Sequence, residues 1–225
     1  MKKITAILSI LFLSLALSGC SQKEVPATNN MANNASSNSG NQSHLGESSA
    51  TSSDRTLAGQ KDLFQKYRTA ILKTNYGDIT VEFYGDDAPI TVNNFMNLAS
   101  TGFYDNTKFH RVIKDFMIQA GDPNSRGSDK AKYGMGGPGY DFADEYNTHQ
   151  LVRGSLAMAN RGKDTNGSQF FIVTKELFTP MTGQYYTNFG RVVSGMKTVD
   201  KIEGLTTDES DHPVKDAIIK SIELK

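Results

Sequence analysis

The sequence predicts a mainly β domain, folded as an antiparallel barrel or sandwich. Three observations lead there. Residues 57–225 break into short runs of alternating or β-branched residues bounded by turn signals. Only two stretches in them carry helical spacing. Their length suits one domain around a single core, and no internal repeat is visible.

The elements follow in chain order. Ala70 to Tyr84 alternates apolar and polar residues on either side of Asn75-Tyr76-Gly77-Asp78, which reads as a hairpin. Asp86-Asp87-Ala88-Pro89 then supplies cap and first-turn residues for a helix. Its apolar stripe is Val92, Phe95, Met96 and Ala99, and Gly102 follows its end. Residues 109–121 read as two short strands hinged at Lys114-Asp115, and Leu156 to Val173 joins apolar runs to a polar turn at Asn166-Gly167. Gly195 to Ile202 is the second helical stretch, with Met196, Val199 and Ile202 on one side. Ala217 to Leu224 is the last strand.

Within residues 109–121, Arg111 is a permanent cation set among aromatic and aliphatic residues. A guanidinium is expensive to desolvate unless it is paired, so its place there suggests a partly open site that uses it. The period of two puts Arg111, Met117 and Gln119 on one face and His110 on the other, as a buried structural residue. The competing structural reading makes Arg111 an ion-pair partner of Asp115 or Glu145.

Other features exclude function classes. The chain carries 24 basic and 24 acidic side chains, so no nucleic-acid footprint is visible. Gly134 to Gly139 is rich in glycine, but no Lys-Ser/Thr follows, and Asp141, Asp144 and Glu145 would repel a phosphate. Asp208 to His212 does not follow an EF-hand pattern, and His44, His110, His149 and His212 lack ligand spacing. Neither a metal nor another cofactor is expected.

The amino terminus is a separate unit. Lys2 and Lys3 precede an apolar run from Ile4 to Leu17, too short to span a bilayer but laid out as an export signal. Its end, Leu17-Ser18-Gly19-Cys20, resembles the bacterial lipoprotein cleavage box. That resemblance implies removal of residues 1–19 and a diacylglyceryl group on Cys20, the only cysteine in the chain. Residues 20–56 are rich in Ser and Asn, with Val25, Met31 and Leu45 as their sizeable apolar groups, and cannot bury a core. As a flexible coil they would span roughly 30 to 36 Å. Residues 57–225 form the folded domain. The expected place is the outer face of a bacterial cell membrane.

Phe109–Ile113 (FHRVI), Phe116–Asp122 (FMIQAGD), Met158–Asn160 (MAN), Thr165–Ile172 (TNGSQFFI) and Phe189–Met196 (FGRVVSGM) together resemble the cyclophilin family, and the likeness extends from Ala70 to Lys225. It implies a closed eight-stranded antiparallel barrel capped by two α-helices, with a site on its outer wall. It also implies a monomeric peptidyl-prolyl cis-trans isomerase that assists unfolded or newly exported chains containing X-Pro bonds. By family position Arg111 is catalytic, and Gln119 either orients it or donates to substrate. Phe116, Met117 and Phe171 would hold the proline ring. Ala159, Asn160 and Gln169 would hold the peptide, and the Gly134 to Gly139 loop would form one edge of the groove.

The chain departs from the family at Phe178 to Tyr186, where a Trp-Leu-Asp-Gly-Lys-His run is common, and it contains no Trp. Phe178 or Met181 would replace the Trp and Tyr186 the His. That departure implies weaker binding of cyclosporin-like inhibitors. A peptide-binding or scaffolding lipoprotein that uses the groove without turnover is the alternative reading.

Overall fold

The computed structural model describes residues 55–176 and 186–225. Asn75-Tyr76 does turn the chain, between β1 (Thr69–Thr74) and β2 (Gly77–Phe83). Thr74 closes the turn: its hydroxyl accepts from the Tyr76 N–H at 3.0 Å and donates to the Gly77 carbonyl at 2.5 Å. Ala70, Leu72, Ile79, Val81 and Phe83 point into the core, as alternation requires.

Helix α1 (Pro89–Ser100) starts where expected but is capped differently. Ala88 occupies the cap position and offers no side-chain oxygen. The Glu145 carboxylate instead accepts from the N–H groups of Ile90 at 3.0 Å and Thr91 at 2.7 Å. Pro89 has no N–H, so this remote carboxylate satisfies the next two donors of the first turn. The helix ends in a Schellman motif, with Gly102 N–H on the Ala99 carbonyl and Phe103 N–H on that of Leu98. Gly102 makes the reversal at φ +73°.

The remaining elements are β3 (Thr107–Lys108), β4 (Arg111–Ile113), β5 (Met117–Ala120), β6 (Ser155–Met158), β7 (Phe170–Val173), β8 (Asn188–Ser194), α2 (Met196–Glu203) and β9 (Ile218–Leu224). Among the described residues the nine strands form one antiparallel sheet in the order β3-β9-β1-β2-β8-β6-β7-β5-β4. The mainly β, antiparallel expectation holds, but nine strands stand where eight were expected, and closure is not seen as a ladder: among the described residues none joins β3 to β4. The reason lies in residues 107–113, which pair in two directions. Thr107-Lys108 pairs with β9 and Arg111–Ile113 with β5. The sheet curls on itself, and the main chain through Phe109-His110 links its two ends.

The main core lies on one face of this sheet. Phe95 from α1 packs against Tyr104, Phe170 and Phe189 at ring separations of 5.0, 5.4 and 5.5 Å. Val199 and Ile202 of α2 join the same cluster. Strands β2 and β8 approach closely at Gly190, where an added Cβ would sit 2.5 Å from the Glu82 carbonyl oxygen.

The period of two also builds a second, smaller cluster. Ile118, Phe170, Ile172, Leu156 and Met158 enter the main core, whereas Met117, Phe171, Val173 and Ala157 join Leu151 on the other face. Strands β6 and β7 are therefore buried on both sides. That second face carries the candidate site.

Candidate functional site

Strand register assembles the site. The turn at Lys114-Asp115 folds β5 back on β4, with Asp115 at φ +55° and its N–H donating to Glu203 of α2 at 2.9 Å. Arg111 then lies opposite Gln119, Gln119 opposite Phe171, and Phe171 opposite Ala157. These four residues form one row across β4, β5, β7 and β6 on the outer face. The next row holds Ile113, Met117 and Val173.

Above these rows opens a cavity of about 340 Å³ lined by Arg111, Phe116, Met117, Gln119, Ala159, Asn160, Phe171 and Tyr186. All eight were singled out from the sequence. Met117 and Phe171 are buried and give the cavity an apolar floor. Tyr186 meets Phe171 edge-on, with ring centroids 5.3 Å apart. Arg111 supplies the cation at the wall and is 45% exposed. Its carboxylate partner is Asp211, at 3.4 Å from Nε, and not Asp115 or Glu145.

Gln119 lies beside Arg111 in register, but its amide nitrogen donates to Gln169 Oε1 at 2.9 Å. Gln169 in turn donates to the carbonyls of Gly134 at 3.0 Å and Gly136 at 2.8 Å. The relay joins the strand floor to the glycine-rich loop. Gly134, Gly136, Gly137 and Pro138 line a smaller cavity of about 80 Å³ that shares Gln119, Ala159 and Asn160 with the first.

His110 is buried on the opposite face from Arg111, its ring edge-on to Tyr133. Burial lowers its pKa from 6.5 to about 4, against the pull of Asp122 in the other direction. It is neutral at neutral pH and outside the cavity. Phe178, Met181 and Cys20 lie outside the described residues.

A family model of the cyclophilin type peptidyl-prolyl cis-trans isomerases matches residues 69–224, which include every strand and both α-helices among the described residues. The chain belongs to this family. The cyclophilin region is 43% identical to a probable peptidyl-prolyl cis-trans isomerase A of Mycobacterium leprae, over 68% of this chain and 90% of that one. It is 40% identical to a peptidyl-prolyl cis-trans isomerase-like 3 of Dictyostelium discoideum, over 67% of this chain and 91% of that one. Some relatives are far longer: the match to a peptidyl-prolyl cis-trans isomerase-like 2 of Rhizopus delemar, 42% identical over 77% of this chain, spans 33% of that protein. A cyclophilin type isomerase of Cryptosporidium parvum, solved in the presence of the dipeptide Ala-Pro, superposes with a TM-score of 0.64 at 36% identity, covering 70% of this chain and 99% of that one.

The sequence did not reveal the roles of two residues of the cyclophilin region, the Asp211 partner of Arg111 and the Glu145 cap of α1. Asp211 and Glu145 meet their partners across long stretches of chain, 55 positions for Glu145 and Ile90. Periodicity reports only near neighbours. The usable signal was Ala88 before Pro89, because a helix that starts there has no side-chain acceptor of its own for its first N–H groups.

Proposed function

We propose that the protein is a peptidyl-prolyl cis-trans isomerase of exported polypeptides, held at the outer face of a bacterial cell membrane by lipid on Cys20. The observation that carries the catalytic reading is the row Arg111-Gln119-Phe171 over an apolar floor. Rotation of an X-Pro amide crosses a barrier of about 18 to 20 kcal/mol because amide resonance is lost. In the twisted amide the prolyl nitrogen becomes pyramidal and basic. A donor aimed at that nitrogen, or at the neighbouring carbonyl oxygen, binds the transition state better than either ground state.

Arg111 fills that role because it is always charged and partly open to the cavity. Phe116, Met117 and Phe171 hold the pyrrolidine ring while the other side of the peptide turns. Asn160, with Ala159, holds the extended peptide through its main chain. Gln119, joined to Gln169, fixes the wall between the two cavities. No covalent bond forms, and the chemistry needs no cofactor.

The export signal, the lipoprotein-like box and the linker of residues 20–56 support the membrane-tethered part of the reading. A diacylglyceryl group supplies the two chains that stable anchoring takes. The test is NMR exchange on a series of short X-Pro peptides, paired with cell fractionation of wild type and Cys20→Ser. The expected results are catalysed exchange in the purified domain and loss of membrane retention in the variant. Peptide binding without accelerated exchange would favour the scaffolding alternative. A mature amino terminus at another, unmodified residue would overturn the lipid anchor.

A further inference from the structure

Residues 55–68 precede the family match, yet residues 55–64 are held to the domain by three asparagines of α1. Asn93 Oδ1 accepts from the N–H groups of Leu63 at 2.7 Å and Phe64 at 3.0 Å, and its amide donates to the Arg55 carbonyl at 3.0 Å. Asn97 accepts from Lys61 N–H at 3.0 Å and donates to the Lys61 carbonyl at 2.8 Å. Phe64 is buried in the main core under the Arg68 guanidinium, 3.9 Å from the ring centroid. Asparagine is a mediocre helix former, so three on one helix are better explained by these contacts than by the helix itself.

The third asparagine, Asn94, connects this strap to the groove. It is fully buried. Its Oδ1 accepts from Gln60 Nε2 at 2.9 Å and from the Tyr140 hydroxyl at 2.6 Å, while its amide donates to the Gly167 carbonyl at 2.9 Å. Gln60 also donates to the Tyr140 oxygen at 3.0 Å. Tyr140 ends the glycine-rich loop, and Gly167 lies in the loop between β6 and β7. Both loops line the smaller cavity. They touch where Pro138 would stand 3.1 Å from a Cβ on Gly167.

We infer that the segment Arg55–Phe64 is a positioning strap for the smaller cavity, and that Gln60 and Tyr140, acting through Asn94, set affinity for peptides long enough to reach it. The inference rests on the groove being the peptide site. Gln60 and Tyr140 line neither cavity beside Arg111, so a peptide confined to the proline pocket should not sense them.

The experiment compares a tetrapeptide with an octapeptide, each carrying one central X-Pro bond, in NMR titrations of the full-length protein. Wild type, Gln60→Ala and Tyr140→Phe are titrated, and exchange rates come from the same samples. Loss of a neutral hydrogen bond in the network should weaken the octapeptide by about 2 to 10-fold. The tetrapeptide should keep its affinity in both variants. An unchanged ratio of the two affinities overturns the strap, whether the variants are less stable or not. Absence of catalysed exchange in wild type would count against the isomerase reading, while the affinity ratio would still judge the strap.

Discussion

Arg111 and Asp211 form an ion pair at 3.4 Å in which both side chains remain open to solvent, 45% and 41% exposed. Exposed pairs of this kind contribute about 0 to 1 kcal/mol. Asp211→Asn should therefore change kcat/KM by less than about 5-fold, in either direction. Arg111→Ala removes the proposed transition-state donor and should lower kcat/KM by roughly 10 to 150-fold with the fold intact. Equal losses in the two variants, measured by exchange kinetics, would mean that the pair and not the guanidinium is the functional unit.

His110 makes stability depend on pH. Its folded pKa of about 4 lies below the ordinary 6.5 because burial disfavours the cation, with His212 and Arg111 adding to the effect and Asp122 opposing it. The unfolded chain thus binds the proton more readily. Stability from this group is complete above pH 6.5, falls as pH drops toward 4, and is exhausted below that. The full effect is about 3 kcal/mol. Urea unfolding at pH 7, 5.5 and 4.5 should show this decline in wild type and a shallower one in His110→Gln. An identical slope in the variant would assign the decline to other groups.

Glu145 serves helix α1 from a distance. Removing its carboxylate leaves the Ile90 and Thr91 N–H groups without their charged acceptor. Glu145→Ala should lower stability by about 1 to 2 kcal/mol, within the range of lost caps. Glu145→Gln, which keeps one acceptor oxygen, should lose less. Denaturant midpoints at constant m-value are the measurement, and an unshifted midpoint in the Ala variant would contradict the cap.

Gly190 and Gly137 separate close approach from mere glycine content. A methyl at Gly190 meets the Glu82 carbonyl oxygen at 2.5 Å, whereas one at Gly137 meets nothing within 4 Å. Gly190→Ala should destabilise by about 1 to 3 kcal/mol, as overpacking does. Gly137→Ala should stay within about 0.5 kcal/mol of wild type. Calorimetry on both variants checks the contrast.

Periodicity made legible whatever repeats over a few residues, whereas Phe116, Ala159, Asn160, Phe171 and Tyr186 were brought to the cavity only by the resemblance to the family. Alternation gave the β1–β2 hairpin, the two short strands about Lys114-Asp115, and the shared face of Arg111, Met117 and Gln119. Helical spacing gave the stripe from Val92 to Ala99 and the buried Val199 and Ile202. Features made between distant segments stayed hidden: the Asp211 partner of Arg111, the Glu145 cap, and the Gln60-Asn94-Tyr140 triangle. The split of residues 107–113 between two partners was hidden for the same reason, since a local pattern does not reveal which strand lies alongside.

The curl of the sheet also bears on self-association. Its terminal strands, β3 and β4, span only two and three residues, while templated strand addition needs a longer run of unpaired N–H and C=O groups. If the groove takes extended polypeptide, as proposed, the protein meets chains ready to add themselves to any open ladder. With edges this short, such chains find little main-chain purchase at the ends of the sheet, which leaves the groove beside Arg111 as the place where a peptide can bind briefly and reversibly.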